Sequence, residues 1–92
     1  MKYTVKLTSR FKKDYKLAEK RRLNIDLLDD VITQLAMGKL LDPALRDHEL
    51  SDNWKGHREC HLSPDWLLVY FVDDDVLVLS MVRTGSHSDI FG

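Results

Sequence analysis

The side chains best suited to acid and base chemistry are crowded into the second half of the chain. All four histidines, His48, His57, His61 and His87, lie there among aspartates and near Arg83. Imidazole has an ordinary pKa close to neutrality, so it can give or take a proton under physiological conditions. A small domain that keeps four imidazoles near carboxylates and an arginine is best explained as an enzyme that uses acid/base catalysis.

Metal-free cleavage of RNA fits this set of side chains. When a 2′-hydroxyl attacks the neighbouring phosphorus, the reaction needs a base, an acid for the departing 5′-oxygen, and a cation beside the phosphorane. Histidine and aspartate supply the proton transfers, and Arg83 offers a planar guanidinium to the phosphate. Because the nucleophile is the 2′-hydroxyl, the sequence predicts RNA as the substrate.

Other chemistries have weaker support. On a strand, the spacing of His57 and His61 puts their Cα atoms about 13 Å apart, too far to share one ion. A metal site of His48, His61, His87 and Asp65 remains an alternative, but no HExxH or paired-cysteine motif accompanies it. Cys60 alternates with apolar residues and is expected in the core, and there is no glycine-rich phosphate loop. We therefore expect neither metal nor cofactor.

Composition indicates a single globular domain over residues 1–92. The chain is 43% hydrophobic and 32% charged, with one cysteine, and its longest apolar run is far shorter than a membrane span. We expect a soluble cytoplasmic protein with no membrane partner. Residues 1–22 carry nine basic and two acidic side chains, which give a local charge of +7. Residues 23–92 carry five basic and thirteen acidic side chains, which give a charge of −8. The basic segment is either a solvated helix face or a surface for a polyanion.

The periodicity of apolar residues predicts an α+β fold. It indicates an N-terminal strand, a helical hairpin and then a three-strand antiparallel meander, with the helices packed on one face of the sheet. Thr8 or Ser9 and then Asn24 are suited to begin the helices, and Gly38 to end the second. The predicted first strand covers residues 3–7, and the two helices cover residues 8–22 and 24–38. An irregular segment follows at 39–53. The strands of the meander cover residues 54–62, 66–72 and 76–82, with an acidic hairpin tip at 73–75.

Three motifs in the second half resemble a known family. They are DHxLxxxWKGxRxxH from Asp47, PDWLLxY from Pro64 and RTGxHxxxF from Arg83, and the first helix contributes FKKDYKLAEKR. In this order they resemble the YafQ branch of the RelE/ParE toxins, small ribonucleases of type II toxin-antitoxin modules. The resemblance implies a RelE-like fold, cleavage of messenger RNA on the ribosome, and a DinJ-like antitoxin as partner.

The resemblance also implies roles for individual residues. His87 is expected to be the general acid, and either Asp65 or His48 the base. Phe91 positions the RNA or docks on the protein, and Trp66 packs beneath the site or stacks on a base. The acid/base set comprises His48, His61, Asp65 and His87, with Arg83 at the phosphate. Two further basic residues either contact RNA or merely flank the sheet, namely Lys55 and Arg58. The lysines expected to face ribosomal RNA are Lys12, Lys13, Lys16 and Lys20. His57 stands outside this set, as a solvated strand residue.

Two other functions are compatible with the same fold. A ParE-like toxin would act by binding a protein such as gyrase, without catalysis, and would have no need of the histidine array. A simple antitoxin-binding or nucleic-acid-binding domain would carry its histidines as surface residues. Cleavage of RNA separates the enzyme from both alternatives.

Overall fold

The computed structural model describes all residues from Met1 to Gly92 and contains a five-stranded sheet with three helices. None of its helices is long and apolar enough to cross a membrane. The elements are β1 (Thr4–Leu7), α1 (Ser9–Lys20), α2 (Ile25–Ala36), β2 (His48–Glu49), β3 (Arg58–Ser63), β4 (Trp66–Asp73), β5 (Val78–Gly85) and α3 (His87–Phe91), with short 3₁₀ turns at Pro43–Leu45 and Asp52–Trp54.

The strand order is β1-β5-β4-β3-β2. Strand β1 runs parallel to β5, and every other neighbouring pair is antiparallel. The predicted α+β class, with a largely antiparallel sheet, is confirmed. The structure adds β2, which lies in the segment expected to be irregular and pairs with β3 over only two residues.

The helix boundaries follow from side-chain capping. The Thr8 hydroxyl accepts the backbone N–H of Phe11, and the Asn24 side chain accepts that of Leu27, so both proposed N-caps are confirmed. Gly38 follows α2 with a φ of +74°, the left-handed conformation expected of a residue that ends a helix. Helix α1 ends at Lys20, two residues earlier than expected.

The core lies on both faces of the sheet. Leu68 and Tyr70 of β4 join the main cluster with α1 and α2, whereas Leu67 and Val69 join a smaller cluster with Ile90 of α3. Because side chains alternate along a strand, α3 packs on the face opposite the long helices. The expectation that the helices cover one face holds for α1 and α2, and the C-terminal helix was not foreseen.

Two strands of the meander begin later than predicted, and β5 also ends later, at Gly85 rather than Val82. Strand β3 begins at Arg58 rather than Trp54, because Asp52–Trp54 forms a 3₁₀ turn and Gly56 adopts a φ of +90°. The second hairpin tip extends to Leu77, which also has a positive φ, so Val76 and Leu77 lie in the turn and not in β5. In both places turn geometry overrides apolar alternation.

Candidate active site

A buried carboxylate lies between two of the histidines. Glu59 is 4% exposed, and its Oε1 atom is 3.1 Å from Nε2 of His48 and 3.4 Å from Nε2 of His61. Glu59 and His61 project from the same face of β3, and β2 places His48 directly opposite Glu59. The sequence put Glu59 on the polar side of this strand but did not select it as a functional residue.

The hydrogen bonds of the two rings indicate where their protons lie. Nδ1 of His48 is 3.0 Å from the carbonyl oxygen of Glu49, so this nitrogen must donate. Nε2 can then donate to Glu59 only when the ring is doubly protonated. Nδ1 of His61 lies 3.4 Å from Nη2 of Arg46, so it accepts, and Nε2 donates to Glu59.

A cleft joins this group to the C-terminal helix. Its cavity is about 360 Å³, and its walls include His48, Glu59, Trp54, His87 and Phe91. Side chains from β2, β3 and α3 thus meet around one space large enough for part of a nucleotide. His61 reaches the group through Glu59, so three of the four histidines are brought together.

Several contacts fix the start of α3 and hence the position of His87. Ser86 and Asp89 form a reciprocal capping box, and the backbone N–H of His87 donates to Oδ1 of Asp65 at 3.3 Å. Arg21 contacts Asp89 at 3.0 Å. The hydrogen bond from the Ser86 backbone, and then Arg21, lower the pKa of Asp89. Asp65 is thus adjacent to His87, but its visible contact is with the backbone.

Aromatic contacts hold the end of α3 against the domain. The ring of Phe91 packs edge-on against Trp54, with 5.4 Å between centroids, and lies 4.9 Å from the ring of His87. Phe91 is half-buried, so it docks on the protein and also lines the cleft. His57 packs between Trp54 and Phe71, and its Nδ1 is buried without a partner. It is therefore not the solvated strand residue that we expected.

Arg83 does not line the cleft in this structure. Its Nε donates to Asp14 of α1 at 2.6 Å, and its Nη2 donates to the carbonyl oxygen of Asp89 at 3.3 Å. The side chain is only 12% exposed. Without RNA the guanidinium of Arg83 is bound by Asp14, so its expected contact with a phosphate stays a prediction that requires this ion pair to open.

Three other expected positions have specific surroundings. Trp66 is 5% exposed and donates through Nε1 to Thr84, so it packs in the core and offers no face to a base. Arg58 binds Asp47 and Glu49, whereas Lys55 is exposed beside the cleft residue Trp54. Cys60 is fully buried, and burial raises its pKa to about 12, which confirms it as a core residue.

The four lysines of α1 are all exposed. They are Lys12, Lys13, Lys16 and Lys20. Helix α1 packs on the face of the sheet opposite the face that carries α3 and the histidine cleft. This basic face is separate from the histidine cleft, as a surface for a large polyanion would be.

Comparison with known proteins places the whole chain in one family. A family model described as a bacterial toxin of type II toxin-antitoxin systems, YafQ, matches residues 3–92. The mRNA interferase toxin YafQ of Escherichia coli strain B/BL21-DE3 is 39% identical over 96% of this chain and 95% of its own.

Solved structures agree with this result. The toxin in the crystal structure of the E. coli DinJ-YafQ complex has a TM-score of 0.90 and 36% identity, over 98% of this chain and 99% of its own. A metal-bound toxin from Helicobacter pylori has a TM-score of 0.91 and 40% identity, over 97% and 99% of the two chains. The three motifs, the RelE-like fold and these matches agree: the chain belongs to the YafQ family of type II toxin-antitoxin toxins.

Proposed function

We propose that this chain is an endoribonuclease that cleaves messenger RNA on the ribosome, and that a DinJ-like antitoxin holds it inactive. The E. coli relative is named an mRNA interferase and forms a complex with DinJ, which supports both parts of the proposal. The observation that carries it furthest is the cleft shared by His48, Glu59 and His87, because it puts three proton-transfer groups around one space.

In the proposed reaction His48 is the base. Its half-exposed ring takes the proton of the 2′-hydroxyl, and the 2′-oxygen attacks the neighbouring phosphorus. Nε2 of His48 lies 3.1 Å from Oε1 of Glu59, so the N–H of the resulting imidazolium can donate to this carboxylate. Of the two alternatives for the base, His48 is favoured because Asp65 accepts the backbone N–H of His87.

His87 completes the reaction as the general acid. It protonates the 5′-oxygen as the P–O5′ bond breaks, which leaves a 2′,3′-cyclic phosphate on one product and a 5′-hydroxyl on the other. His87 is exposed on the first turn of α3, so its ring can reach a strand of RNA lying in the cleft. Phe91, one turn later, can hold the adjacent base by stacking.

Arg46 is the cation that we propose beside the phosphate. It is exposed, contacts His61 and takes part in no salt bridge, whereas Arg58 and Arg83 are each bound to carboxylates. No periodic pattern points to Arg46, because it lies in the irregular segment before β2. A free guanidinium next to the imidazole pair can bind a phosphorane oxygen without first breaking an ion pair.

Replacing Arg46 by alanine is therefore expected to reduce kcat/KM for RNA cleavage by about 10- to 100-fold, the range for one charge-assisted hydrogen bond. Single-turnover cleavage of a model RNA would measure the change. Lys39→Ala removes the same charge from an exposed position outside the cleft and is expected to have little effect. Full activity in Arg46→Ala would instead require Arg83 to leave Asp14 during the reaction.

The function itself is tested by mapping cleavage of ribosome-bound messenger RNA with purified protein. We expect defined fragments with 2′,3′-cyclic phosphate ends, formed also in the presence of a chelator, and none from a variant with His48, His61 and His87 all changed to alanine. Intact messenger RNA, together with growth inhibition that survives the triple substitution, would instead favour a ParE-like toxin that binds a protein target.

In this proposal the basic face of α1 is the surface that contacts the ribosome. Lys12, Lys13, Lys16 and Lys20 are exposed and lie away from the cleft, so they can contact ribosomal RNA while the cleft receives the messenger. Attraction between such a face and the phosphate backbone weakens as salt increases. Cleavage on the ribosome should therefore be more sensitive to salt than cleavage of a short free RNA.

A further inference from the structure

We propose that a second hollow in the surface is a subsite for one base of the RNA. It lies on the other side of His61 from the cleft, and its walls include Ala44, Leu45, Arg46, Ser63 and Pro64. We call this hollow the side pocket. Its occupant is the base of the nucleotide whose 2′-hydroxyl attacks the phosphorus, so this inference rests on the function proposed above.

The ring of His61 connects the side pocket to the cleft. Its Nε2 atom is 3.4 Å from Oε1 of Glu59, a residue of the cleft wall. Its Nδ1 atom is 3.4 Å from Nη2 of Arg46, a residue of the side pocket wall. The ring centroids of His48 and His61 are 6.2 Å apart. A nucleotide held at His48 can therefore direct its base past His61 into the side pocket.

The size and the charge of the side pocket suit a base of RNA. The cavity is about 280 Å³, and none of the residues that line it is acidic. Leu45 and Pro64 contribute apolar surface, and Arg46 contributes an exposed guanidinium that forms no salt bridge. Unpaired bases stack on guanidinium planes, and a positive wall attracts the phosphates on either side of the base.

A capped turn places Arg46 in the wall of the side pocket. Arg46 has a φ of +48°, a left-handed conformation that a residue with a side chain rarely adopts. Its backbone N–H donates to the carbonyl oxygen of Pro43 at 3.0 Å, and the carboxylate of Asp42 accepts the backbone N–H of Ala44 at 2.9 Å. A strained backbone that is fixed by its surroundings is typical of a functional site. The turn therefore holds Arg46 against His61 before RNA binds.

The edge of β3 offers hydrogen bonds to the same base. Strand β2 pairs with β3 only at Arg58 and Glu59, so no strand covers the outer edge of β3 from Cys60 to Ser63. Backbone groups that point outward there can bond to the polar edge of a base, as can the exposed hydroxyl of Ser63. These groups would give the side pocket a preference among bases.

The proposed reaction determines which base enters the side pocket. His48 takes the proton of the 2′-hydroxyl, so the nucleotide on the 5′ side of the cleaved bond lies at His48. The nucleotide on the 3′ side lies at His87, where Phe91 can stack on its base. In-line attack requires the 2′-oxygen to lie opposite the departing 5′-oxygen. Holding the two bases on opposite sides of the bond favours this alignment.

The test compares cleavage of ribosome-bound messenger RNAs that lack one base but keep every ribose. Loss of the base on the 5′ side of the cleaved bond is expected to slow single-turnover cleavage by about 5- to 100-fold, the range for one stacked base. Loss of a base several nucleotides upstream should have little effect. Equal cleavage of the intact RNA and the RNA without the 5′ base would overturn the subsite.

A variant that fills the side pocket identifies where the base is bound. Ala44→Trp puts a large ring at an exposed position of the wall and keeps the backbone N–H that Asp42 accepts. It should slow cleavage of intact RNA by about 5- to 100-fold and leave cleavage of the RNA without the 5′ base at the wild-type rate. Leu40→Trp adds the same ring at an exposed position outside the side pocket, and should cleave both RNAs as the wild type does.

Binding tests the subsite without any cleavage. Short RNAs with deoxyribose at the cleaved position have no attacking hydroxyl, and fluorescence anisotropy would measure their affinity for the purified chain. The RNA with the 5′ base should bind more tightly than the RNA without it, and Ala44→Trp should abolish this difference. A chain that shows the difference but never cleaves RNA would uphold the subsite and refute the proposed function. If Ala44→Trp treats all these RNAs as the wild type does and instead escapes its antitoxin, the side pocket binds that protein, and the subsite is overturned.

Discussion

Replacing His87 by alanine is expected to slow RNA cleavage by about 10²- to 10⁴-fold and to leave the fold unchanged. The loss has this size because a general acid in the transition state contributes that much to the rate. The fold should survive because the imidazole of His87 is exposed and only its backbone N–H is hydrogen-bonded, to Asp65. Single-turnover cleavage and thermal unfolding, measured on the same preparation, would test both parts.

A neighbouring substitution separates lost chemistry from a damaged helix. Ser88 is exposed on the same turn of α3, and its hydroxyl contacts only that of Ser86. Ser88→Ala should therefore cleave at nearly the wild-type rate. If His87→Ala retains full activity, another group must protonate the leaving oxygen. If the His87→Ala variant instead has a lower melting temperature than the wild type, the role of His87 is structural.

The pH dependence of the wild type offers an independent test of the same assignment. A general acid and a general base that act in the same reaction give a bell-shaped profile of rate against pH. In His87→Ala the limb caused by deprotonation of the acid should disappear. A profile that keeps both limbs would show that His87 is not the acid.

Sequence patterns were most informative where one face of an element is apolar. The two helix N-caps, the positive φ of Gly38 and the core position of Cys60 all follow from spacing and residue type. The position of His48 beside Glu59 does not, because it depends on a two-residue strand in a segment with no period. Local sequence preferences determine where helices and strands form, whereas the arrangement of the site depends on contacts between residues that are distant in the sequence.

Buried polar residues were the main features missed. Glu59 occupies the polar face of β3, where a carboxylate is ordinarily exposed, and only the folded chain shows that β2 and the imidazoles cover it. Asp14 could have been found, because it lies three residues after Phe11 and four before Ala18, on the buried face of α1. This buried carboxylate is the partner of Arg83 in the structure.

Asp14 connects α1 to the strand that leads into α3. Its carboxylate accepts hydrogen bonds from Arg83 and from the backbone N–H of Thr84, at 2.6 and 3.1 Å. Both members of the ion pair are about nine-tenths buried. Arg83 also donates to the carbonyl oxygen of Asp89, so the pair extends to the helix that carries His87.

Replacing Asp14 by alanine is expected to lower the free energy of unfolding by about 3 to 5 kcal/mol, because it leaves a buried guanidinium without its partner. This is a large part of the stability of a small domain, and the melting temperature should fall by at least about 10 °C. Urea unfolding at constant pH would measure the loss.

Two matched variants distinguish a lost ion pair from a lost side chain. Asp14→Asn keeps an oxygen that can accept from Thr84 and should lose less stability than alanine does. The double variant Asp14→Leu with Arg83→Met removes both charges, and its stability should approach that of the wild type, since apolar residues of similar volume can replace a buried pair. If the double variant is as unstable as Asp14→Ala, the unpaired charge is not the cause. If it is stable but cleaves RNA slowly through a lower kcat, Arg83 contributes to cleavage, either at the phosphate or through its hydrogen bond to Asp89 of α3.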